Sequence, residues 1–524
     1  MLAGFALLPA TPARAQTDEL TAYARARAAE ADGASDVAAA GYAFALTKAP
    51  GDAVVALRAY RAAIAVGNFA LADRAEQVLA KSVDAPLDTA LVRFTLALKA
   101  GDRVTAAAAL GRLKGGPLDF LRPILGAWLA FDSGGDPLGL LGGGKDSALA
   151  RRYNLETRVL LLIALRRSDE AMPDLMAMLR GGATEDLRIN AALMLAQTGE
   201  RDKAKSLLDG DRMAGLRRLL GKGPKPGAAV GTARLFLSLA ADLSQEDAPS
   251  TIAILLTRTA LLLDPADDRA RLYLAEALSK SGMDRLALDT LAQVRRDSPF
   301  ARGAATGRIA ALRRAGRLPE AIALAKTQAE GRGSTTADAQ GYGDLLAADN
   351  QFGAAAAAYA ASMALPGPGD WTIPYRRGIA LDRAGRWDEA LPLLRRAVEL
   401  APREAEALNT LGTAMVEHGV NLEEAMLLLE RASRLKPDDA AITDSLAWAL
   451  YRRGDIAGAL PLLERAAADD PGGSLVNEHL GDAYWRLGRR YEARYAWRAA
   501  AIYADAGAAT RIAGKLANGL TAAN

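Results

Sequence analysis

The sequence offers few side chains that could carry out covalent or metal chemistry. Its 524 residues contain no cysteine and only two histidines, His418 and His479. The absence of thiols excludes disulfides, iron–sulfur clusters, thiol catalysis and lipid attachment through a cysteine. Two isolated histidines provide neither a histidine-rich metal site nor a nucleophile–base pair. We therefore predict no catalytic residue, no cofactor and no metal, and a protein that is not an enzyme.

One glycine-rich segment, residues 139–146, has the glycine and lysine spacing of a phosphate-binding loop. Asp146 stands where such a loop carries the serine or threonine that holds Mg²⁺, and an aspartate there would repel phosphate. No predicted strand precedes the segment. We interpret it as a loop between helices.

Two other polar features also have simple structural interpretations. His418 lies beside Gly419, where a helix is expected to end and an imidazole can hydrogen-bond a terminal carbonyl group. Adjacent acids such as Glu423 and Glu424 fall on turns that are expected to face solvent. We interpret the histidine as a helix cap and the acids as solvated surface.

The composition favours helices and a balanced surface. Hydrophobic residues make up 51% of the chain and aromatic residues only 5%, with alanine and leucine dominating over β-branched residues, which are less suited to helices. Lys+Arg number 65 and Asp+Glu 62, for a net charge of +3, and no long basic run occurs. Because nucleic-acid binding needs a concentrated basic face, we predict no nucleic-acid partner.

Alanines recur along the chain at a nearly constant spacing. Ala253, Ala287 and Ala321 are each 34 residues apart, and the series continues with similar steps in both directions. A glycine commonly stands five residues before the alanine, a small residue seven after it and a proline twelve after it. Such co-varying positions indicate a structural repeat.

Each recurring residue type suits one position in a pair of antiparallel helices. A glycine such as Gly454 or Gly488 permits the positive φ that often ends a helix. Alanines such as Ala459 and Ala493 leave room for a close neighbouring helix, and a proline such as Pro437 ends the second helix. The repeat therefore predicts a stack of helix pairs.

This pattern resembles the tetratricopeptide-repeat (TPR) family over about residues 18–510. In residues 474–507 the family pattern is matched in order by Leu480, Gly481, Tyr484, Gly488, Ala493, Trp497 and Ala500. The resemblance implies an all-α fold, a right-handed superhelical solenoid of antiparallel helix pairs, in one array or two stacked sub-arrays. Trp497 is at a packing position, so we expect it in the core.

The N-terminal residues are interpreted as a signal peptide. A short apolar run is followed by Ala13-Arg14-Ala15, which suits cleavage before Gln16, although no basic residue precedes the run. Later in the chain no window of about 18 uninterrupted apolar residues predicts a transmembrane segment. We expect a periplasmic, non-lipidated protein.

The remaining chain is divided at its irregular stretches. Pro224 and Pro226 with nearby glycines predict a linker, because such clusters favour loops. The predicted segments are a signal peptide at 1–15, an N-terminal TPR-like array at 16–210, a linker at 211–231, a C-terminal TPR array at 232–510 and a tail at 511–524.

The TPR resemblance also implies a binding groove on the inner face of the first helix of each pair. Large aromatic anchors mixed with charged groups are typical of protein interfaces; the alternative is that the aromatics merely pack between repeats. The residues assigned to the groove are Asn409, Asp444, Trp448, Tyr451, Glu478, His479, Asp482, Trp485 and Arg486.

The groove does not match the TPRs that clamp a chaperone's C-terminal carboxylate, because Asn409, Thr413, Asp444 and Trp448 replace the clamp's basic and amide residues. Residues 444–454 and 478–486 instead resemble Gram-negative envelope TPR adaptor proteins. That resemblance implies a periplasmic scaffold for partner proteins or peptides, such as an envelope protease or cell-wall hydrolase. The alternative is a structural subunit of an exopolysaccharide or protein secretion assembly. The oligomeric state stays open.

Overall fold

The computed structural model describes residues 13–82, 85–142, 147–210, 213–244, 248–365 and 370–520. Within these ranges all regular structure is helical and no strand occurs. The predicted all-α fold is confirmed. Residues 1–12 of the predicted signal peptide and residues 143–146 of the glycine-rich segment lie outside the described ranges, and Gly139–Gly142 forms a short 3₁₀ helix.

By its internal contacts the chain divides into two compact units, one ending at Ala321 and the other beginning at Ile322. The helices that begin in the first unit are α1 Ala13–Ala31, α2 Ser35–Lys48, α3 Ala53–Val66, α4 Phe69–Leu79, α5 Thr89–Ala100, α6 Arg103–Gly111, α7 Leu121–Asp132, α8 Ala148–Ala164, α9 Ser168–Arg180, α10 Glu185–Thr198, α11 Arg201–Leu207, α12 Ala228–Leu243, α13 Thr251–Leu263, α14 Asp268–Lys280, α15 Asp284–Ala292, α16 Ala301–Arg314 and α17 Leu318–Ala329, which crosses the boundary.

The second unit continues the pattern of helix pairs. Its helices are α18 Thr336–Ala348, α19 Phe352–Ala364, α20 Thr372–Arg383, α21 Trp387–Leu400, α22 Ala405–Glu417, α23 Leu422–Leu435, α24 Ala440–Arg453, α25 Ile456–Asp469, α26 Ser474–Arg486, α27 Arg490–Ile502 and α28 Ala506–Asn518. The pairs α18–α19 to α26–α27 each pack extensively within themselves, and α28 packs on α27.

The recurring residues occupy the positions that the repeat predicts. Gly454 and Gly488 have φ values of 94° and 79°, in the left-handed region that ends their helices. Ala459 and Ala493 are fully buried, and α23 ends at Leu435, two residues before Pro437. The interpretation of the repeat as helix pairs is confirmed at these sites.

The first unit contains a helix that is buried on all sides. α12 contacts α5, α7, α8, α13 and α14, and Phe236 at its centre is fully buried. Gly231 lies so close to Trp128 that an added Cβ would be 2.0 Å from the indole. The predicted linker 211–231 thus includes the first turn of α12 and lies within the first unit.

A buried ionic network supports this interior. The guanidinium group of Arg269, 4% exposed, donates to Asp186 at 3.0 Å, Asn190 at 2.9 Å and Asp267 at 2.8 Å. Burial disfavours the charged form of Arg269, but its acidic neighbours outweigh burial and raise its pKa. Breaking such a pair would leave an uncompensated buried charge, so the network ties α14 to α10.

Candidate functional site

In the second unit the first helices of successive pairs lie side by side. α22 contacts α24, and α24 contacts α26, while each also packs against its own partner helix. The nine side chains that the sequence assigns to a groove lie on these three helices. The structure divides them into two groups that differ in what already contacts them.

The first group contains a stack of three aromatic rings. The ring centroid of Trp448 lies 3.9 Å from that of His479, with 9° between the planes, and 4.6 Å from that of Tyr451, also at 9°. Two rings stacked this closely on the same face of the indole would overlap, so Trp448 is held between them. Trp448 and Tyr451 are half-buried. The stack is a rigid aromatic platform that joins α24 to α26.

Hydrogen bonds fix both ends of this stack. The Nδ1–H of His479 donates to the carboxylate of Asp444, with 2.9 Å to Oδ2 and 3.0 Å to Oδ1, and Asp444 is only 5% exposed. At the other end the Nε–H of Arg486 donates to the Tyr451 hydroxyl at 3.2 Å. Packing between repeats and presentation of an aromatic surface are therefore combined in the same residues.

The second histidine of the chain repeats this arrangement. His418 stacks on Trp387 with 4.1 Å between the centroids, and its Nε2 lies 2.7 Å from Asp382. In both cases the aspartate precedes the histidine by about one repeat, at separations of 36 and 35 residues. The capping interpretation of His418 is corrected: its imidazole contacts a carboxylate of the previous repeat rather than a terminal carbonyl group.

Asn409 and Thr413 lie one turn apart on α22, beside α24. The Oδ1 atom of Asn409 and the Oγ1 atom of Thr413 are buried and have no hydrogen-bond partner among the residues that the structure describes. Unpaired buried polar atoms each cost about 1–3 kcal/mol. Because both oxygen atoms are enclosed by protein, they lie beneath the surface of the predicted groove.

On its other side α22 is tied to α20. The Tyr375 hydroxyl donates to Glu406 at 2.9 Å and lies 3.1 Å from the Thr410 hydroxyl. Burial raises the pKa of Tyr375 to about 12, with Glu406 adding to the shift and Thr410 opposing it. The phenol thus stays protonated and holds the two helices in register.

The second group of predicted groove residues is covered by α28. Arg511 donates to both carboxylate oxygens of Glu478 at 2.8 Å. Lys515, 5% exposed, lies 2.7 Å from Glu478 and 2.6 Å from Asp482. Asp482 also accepts a hydrogen bond from the indole N–H of Trp497 at 2.9 Å. The expectation that these two acids offer free hydrogen-bonding groups is corrected, because α28 uses them.

The two acids respond differently to this burial. Burial favours the protonated form of Glu478, but hydrogen bonds from Arg511 and Lys515 outweigh it and lower the pKa of Glu478. For Asp482 burial dominates and raises the pKa, although Lys515 opposes the shift. The end of the groove is thus an internally neutralised cluster.

Trp485 belongs to this covered end as well. Its ring centroid is 5.3 Å from that of Trp497, which is fully buried as predicted. Gly519, just after α28, approaches so closely that an added Cβ would lie 1.8 Å from the indole of Trp485. The residues predicted as a tail from 511 begin within α28, and Trp485 supports the packing of that helix.

Little in the sequence predicts the aspartate–histidine pairs or the contacts of α28. The aspartate–histidine pairs need two residues about one repeat apart, a relation that is visible only when consecutive repeats are aligned. The arginine and lysine of α28, four residues apart at 511 and 515, carry a helical spacing, but nothing in the repeat pattern indicates what they contact.

The first unit contains a separate cavity of about 830 Å³. It lies between α3, α13 and neighbouring loops, and its polar lining includes Arg58, Tyr60, Arg61 and Asp88. Tyr60 is held 3.4 Å from Asp88, and burial is the main cause that raises the pKa of both groups.

Among the residues that the structure describes, no group of three or more histidine, aspartate or glutamate residues could hold a metal ion. No helix there is both long and apolar enough to cross a membrane.

Comparison with sequence families identifies the repeats. Residues 375–440 and 445–509 match the tetratricopeptide repeat profile. Both matched segments lie in the second unit, so the later helix pairs are similar to TPR repeats. A comparison with curated proteins found no significant match.

Solved structures that align with part of the chain include TPR proteins. One, from Parabacteroides merdae, is 15% identical with a TM-score of 0.41, covering 48% of this chain and 97% of that one. A thermophilic TPR protein of Thermus thermophilus is 21% identical, with a TM-score of 0.32, covering 35% of this chain and 100% of that one. YrrB, described as having an unusual peptide-binding site, is 21% identical, with a TM-score of 0.29, covering 33% of this chain and 88% of that one.

Proposed function

We propose that the groove formed by α22, α24 and α26 binds a segment of a partner protein, and that this docking is the function of the second unit. The main support for this proposal is the contrast between the two groups of predicted groove residues. α28 already contacts the acids of the last repeat, whereas the aromatic stack of Trp448, Tyr451 and His479 stays half-buried.

The proposed partner segment is uncharged at its centre and carries an apolar or aromatic side chain. Asp444 already accepts a hydrogen bond from His479, and Glu478 and Asp482 are paired with the cations of α28. A rigid aromatic platform gains binding energy mainly by burying an apolar group. A strongly basic partner would find its acidic contacts already occupied.

This proposal is tested by selecting peptides from a phage-displayed random library on the full chain. We expect enriched peptides to share an apolar or aromatic anchor and to be captured equally by a Glu423→Gln control, since Glu423 lies on the second helix of its pair, outside the groove. Failure to enrich any peptide, or capture that is independent of the groove, would contradict the proposal and direct attention to the cavity of the first unit.

The cellular setting is a second part of the proposal. We propose a periplasmic adaptor that brings an envelope protease or a cell-wall hydrolase to its site of action. Support comes from the apolar N-terminal run that precedes Ala13-Arg14-Ala15 and from the resemblance of the last repeats to envelope adaptors. N-terminal sequencing of the native protein is expected to begin at Gln16 in the periplasmic fraction; an intact Met1 in the cytoplasmic fraction would contradict it.

A further inference from the structure

The outer face of α27 carries exposed aromatic and aliphatic side chains. Tyr491 is 80% exposed, Tyr495 69% and Ile502 73%, and Arg498 between them is also exposed. Their spacings of four, three and four residues place all four side chains on one side of a helix. Tyrosines this exposed, in a helix whose Trp497 is fully buried, are not needed for the core.

A row of arginines runs beside the tyrosines. Arg490, Arg494 and Arg498 are spaced one turn apart, in the sequence RYEARYAWR. The guanidinium carbons of Arg490 and Arg494 lie 3.7 and 5.2 Å from the ring centroid of Trp485, a cation–π geometry that orients these two side chains. The arginine row is therefore partly fixed in place.

No acid of α27 compensates this charge. Glu492 is the only acidic residue of the helix, and its carboxylate accepts from Arg489 at 2.9 Å. The face defined by Tyr491, Tyr495, Ile502 and the three arginines, called here the Arg–Tyr face, thus combines a positive row with an apolar row.

We propose that the Arg–Tyr face docks an acidic helix of a partner protein. The face is straight and extends over three turns, roughly 16 Å. Arginines one turn apart match carboxylates that are one turn apart on a second helix, and each Arg–carboxylate contact can be bidentate. Tyrosine and arginine are also the side chains that most often carry interface energy.

This surface is distinct from the groove of α22, α24 and α26, so the inference stands independently of the proposed function. The tyrosines point away from the helices α26 and α28 against which α27 packs. A partner could occupy either surface without the other.

The test uses the full chain and a fluorescently labelled synthetic helical peptide, with glutamates at i, i+4 and i+8 and leucines beside them. We expect saturable binding in fluorescence anisotropy that weakens when added salt screens the charges. Tyr495→Ala and Arg498→Glu should each weaken binding about tenfold or more. Both side chains are exposed, so melting curves should not change.

Matched controls separate this face from the groove and from general charge effects. Trp448→Ala, a groove variant, should leave the affinity for the acidic peptide unchanged. A peptide with lysines in place of the glutamates should bind Arg498→Glu better than the parent protein.

Three outcomes would overturn the proposal. The first is an absence of peptide binding, or equal affinity in all variants. The second is binding of phosphatidylglycerol vesicles, lost in Arg498→Glu, without binding of the peptide, which would assign the face to a lipid surface. The third is self-association in light scattering that Arg498→Glu abolishes without peptide binding, which would assign it to a second copy of the chain.

Discussion

The imidazole of His479 lies parallel to the indole of Trp448, with 3.9 Å between ring centroids, and donates from Nδ1 to Asp444 at 2.9 Å. His479 of α26 thereby contacts two residues of α24, Asp444 and Trp448, which lie one turn apart. This relation holds the aromatic platform of the proposed groove in a single orientation. Pre-orientation of this kind lowers the entropy cost of binding.

Lys515 is predicted to be essential to the packing of α28. Lys515→Met would leave the buried carboxylates of Glu478 and Asp482 without their shared cation, which should destabilise the second unit by about 3 kcal/mol. Urea denaturation followed by tryptophan fluorescence measures the loss. Adding Asp482→Asn to Lys515→Met should recover part of it; a double variant no more stable than the single one would argue against the charge cluster.

Ala459 is predicted to tolerate no larger side chain. It is fully buried where α25 meets its neighbours, so Ala459→Leu should destabilise by about 1–3 kcal/mol through overpacking. The exposed Ala457 of the same helix is the matched control, since Ala457→Leu adds the same atoms where there is room. Equal melting of Ala459→Leu and the parent would mean that the close-packed position is misassigned.

The stability of the first unit is predicted to fall as pH rises towards neutrality. Burial raises the pKa of Glu156 to about 7, although Arg152 at 3.3 Å opposes the shift. The folded chain therefore keeps a proton that the unfolded chain has lost, so folding is progressively disfavoured from the ordinary glutamate pKa up to about 7.

Replacing this carboxyl removes that dependence. Glu156→Gln should be close to the parent in stability at about pH 5 and more stable by about 3 kcal/mol at about pH 8. Melting curves of both proteins at the two pH values measure the difference. A variant that is no more stable than the parent at the higher pH would contradict a buried, ionised Glu156.

Local rules explain the part of the fold that the sequence predicts. Two features depend only on a residue and its nearest turn. These are the helix ends, at Gly454 and Gly488, and the close helix contacts, at Ala459 and Ala493. The TPR resemblance placed Trp448, Tyr451 and His479 on neighbouring helices, and the structure brings them into one stack.

Contacts between distant segments were not predictable in the same way. The burial of α12 depends on Gly231 meeting Trp128 from a segment about a hundred residues earlier, and no repeat spacing records that contact. The burial and pairing of Glu478 depend on Lys515, which lies in a segment outside the repeat pattern. An exposed acid in one repeat and a buried, paired acid in the next have the same sequence signature.

The two tryptophans of the predicted groove should therefore differ in how much they support the fold, and this difference separates binding from folding. Trp485→Ala should lower the melting temperature, because Trp485 packs against Trp497 and Gly519. Both indoles are half-buried, but Trp448 contacts the rings of Tyr451 and His479 rather than the fully buried Trp497, so Trp448→Ala should lower the melting temperature less.

The most direct measurement is the affinity, by isothermal titration calorimetry, of a selected groove peptide for the parent, Trp448→Ala and Glu423→Gln. We predict that Trp448→Ala weakens binding by about 2 kcal/mol or more, as truncation of an interface anchor does, while Glu423→Gln binds like the parent. Unchanged affinity for Trp448→Ala, together with a large loss of stability, would contradict the account and make the aromatic stack a packing element alone.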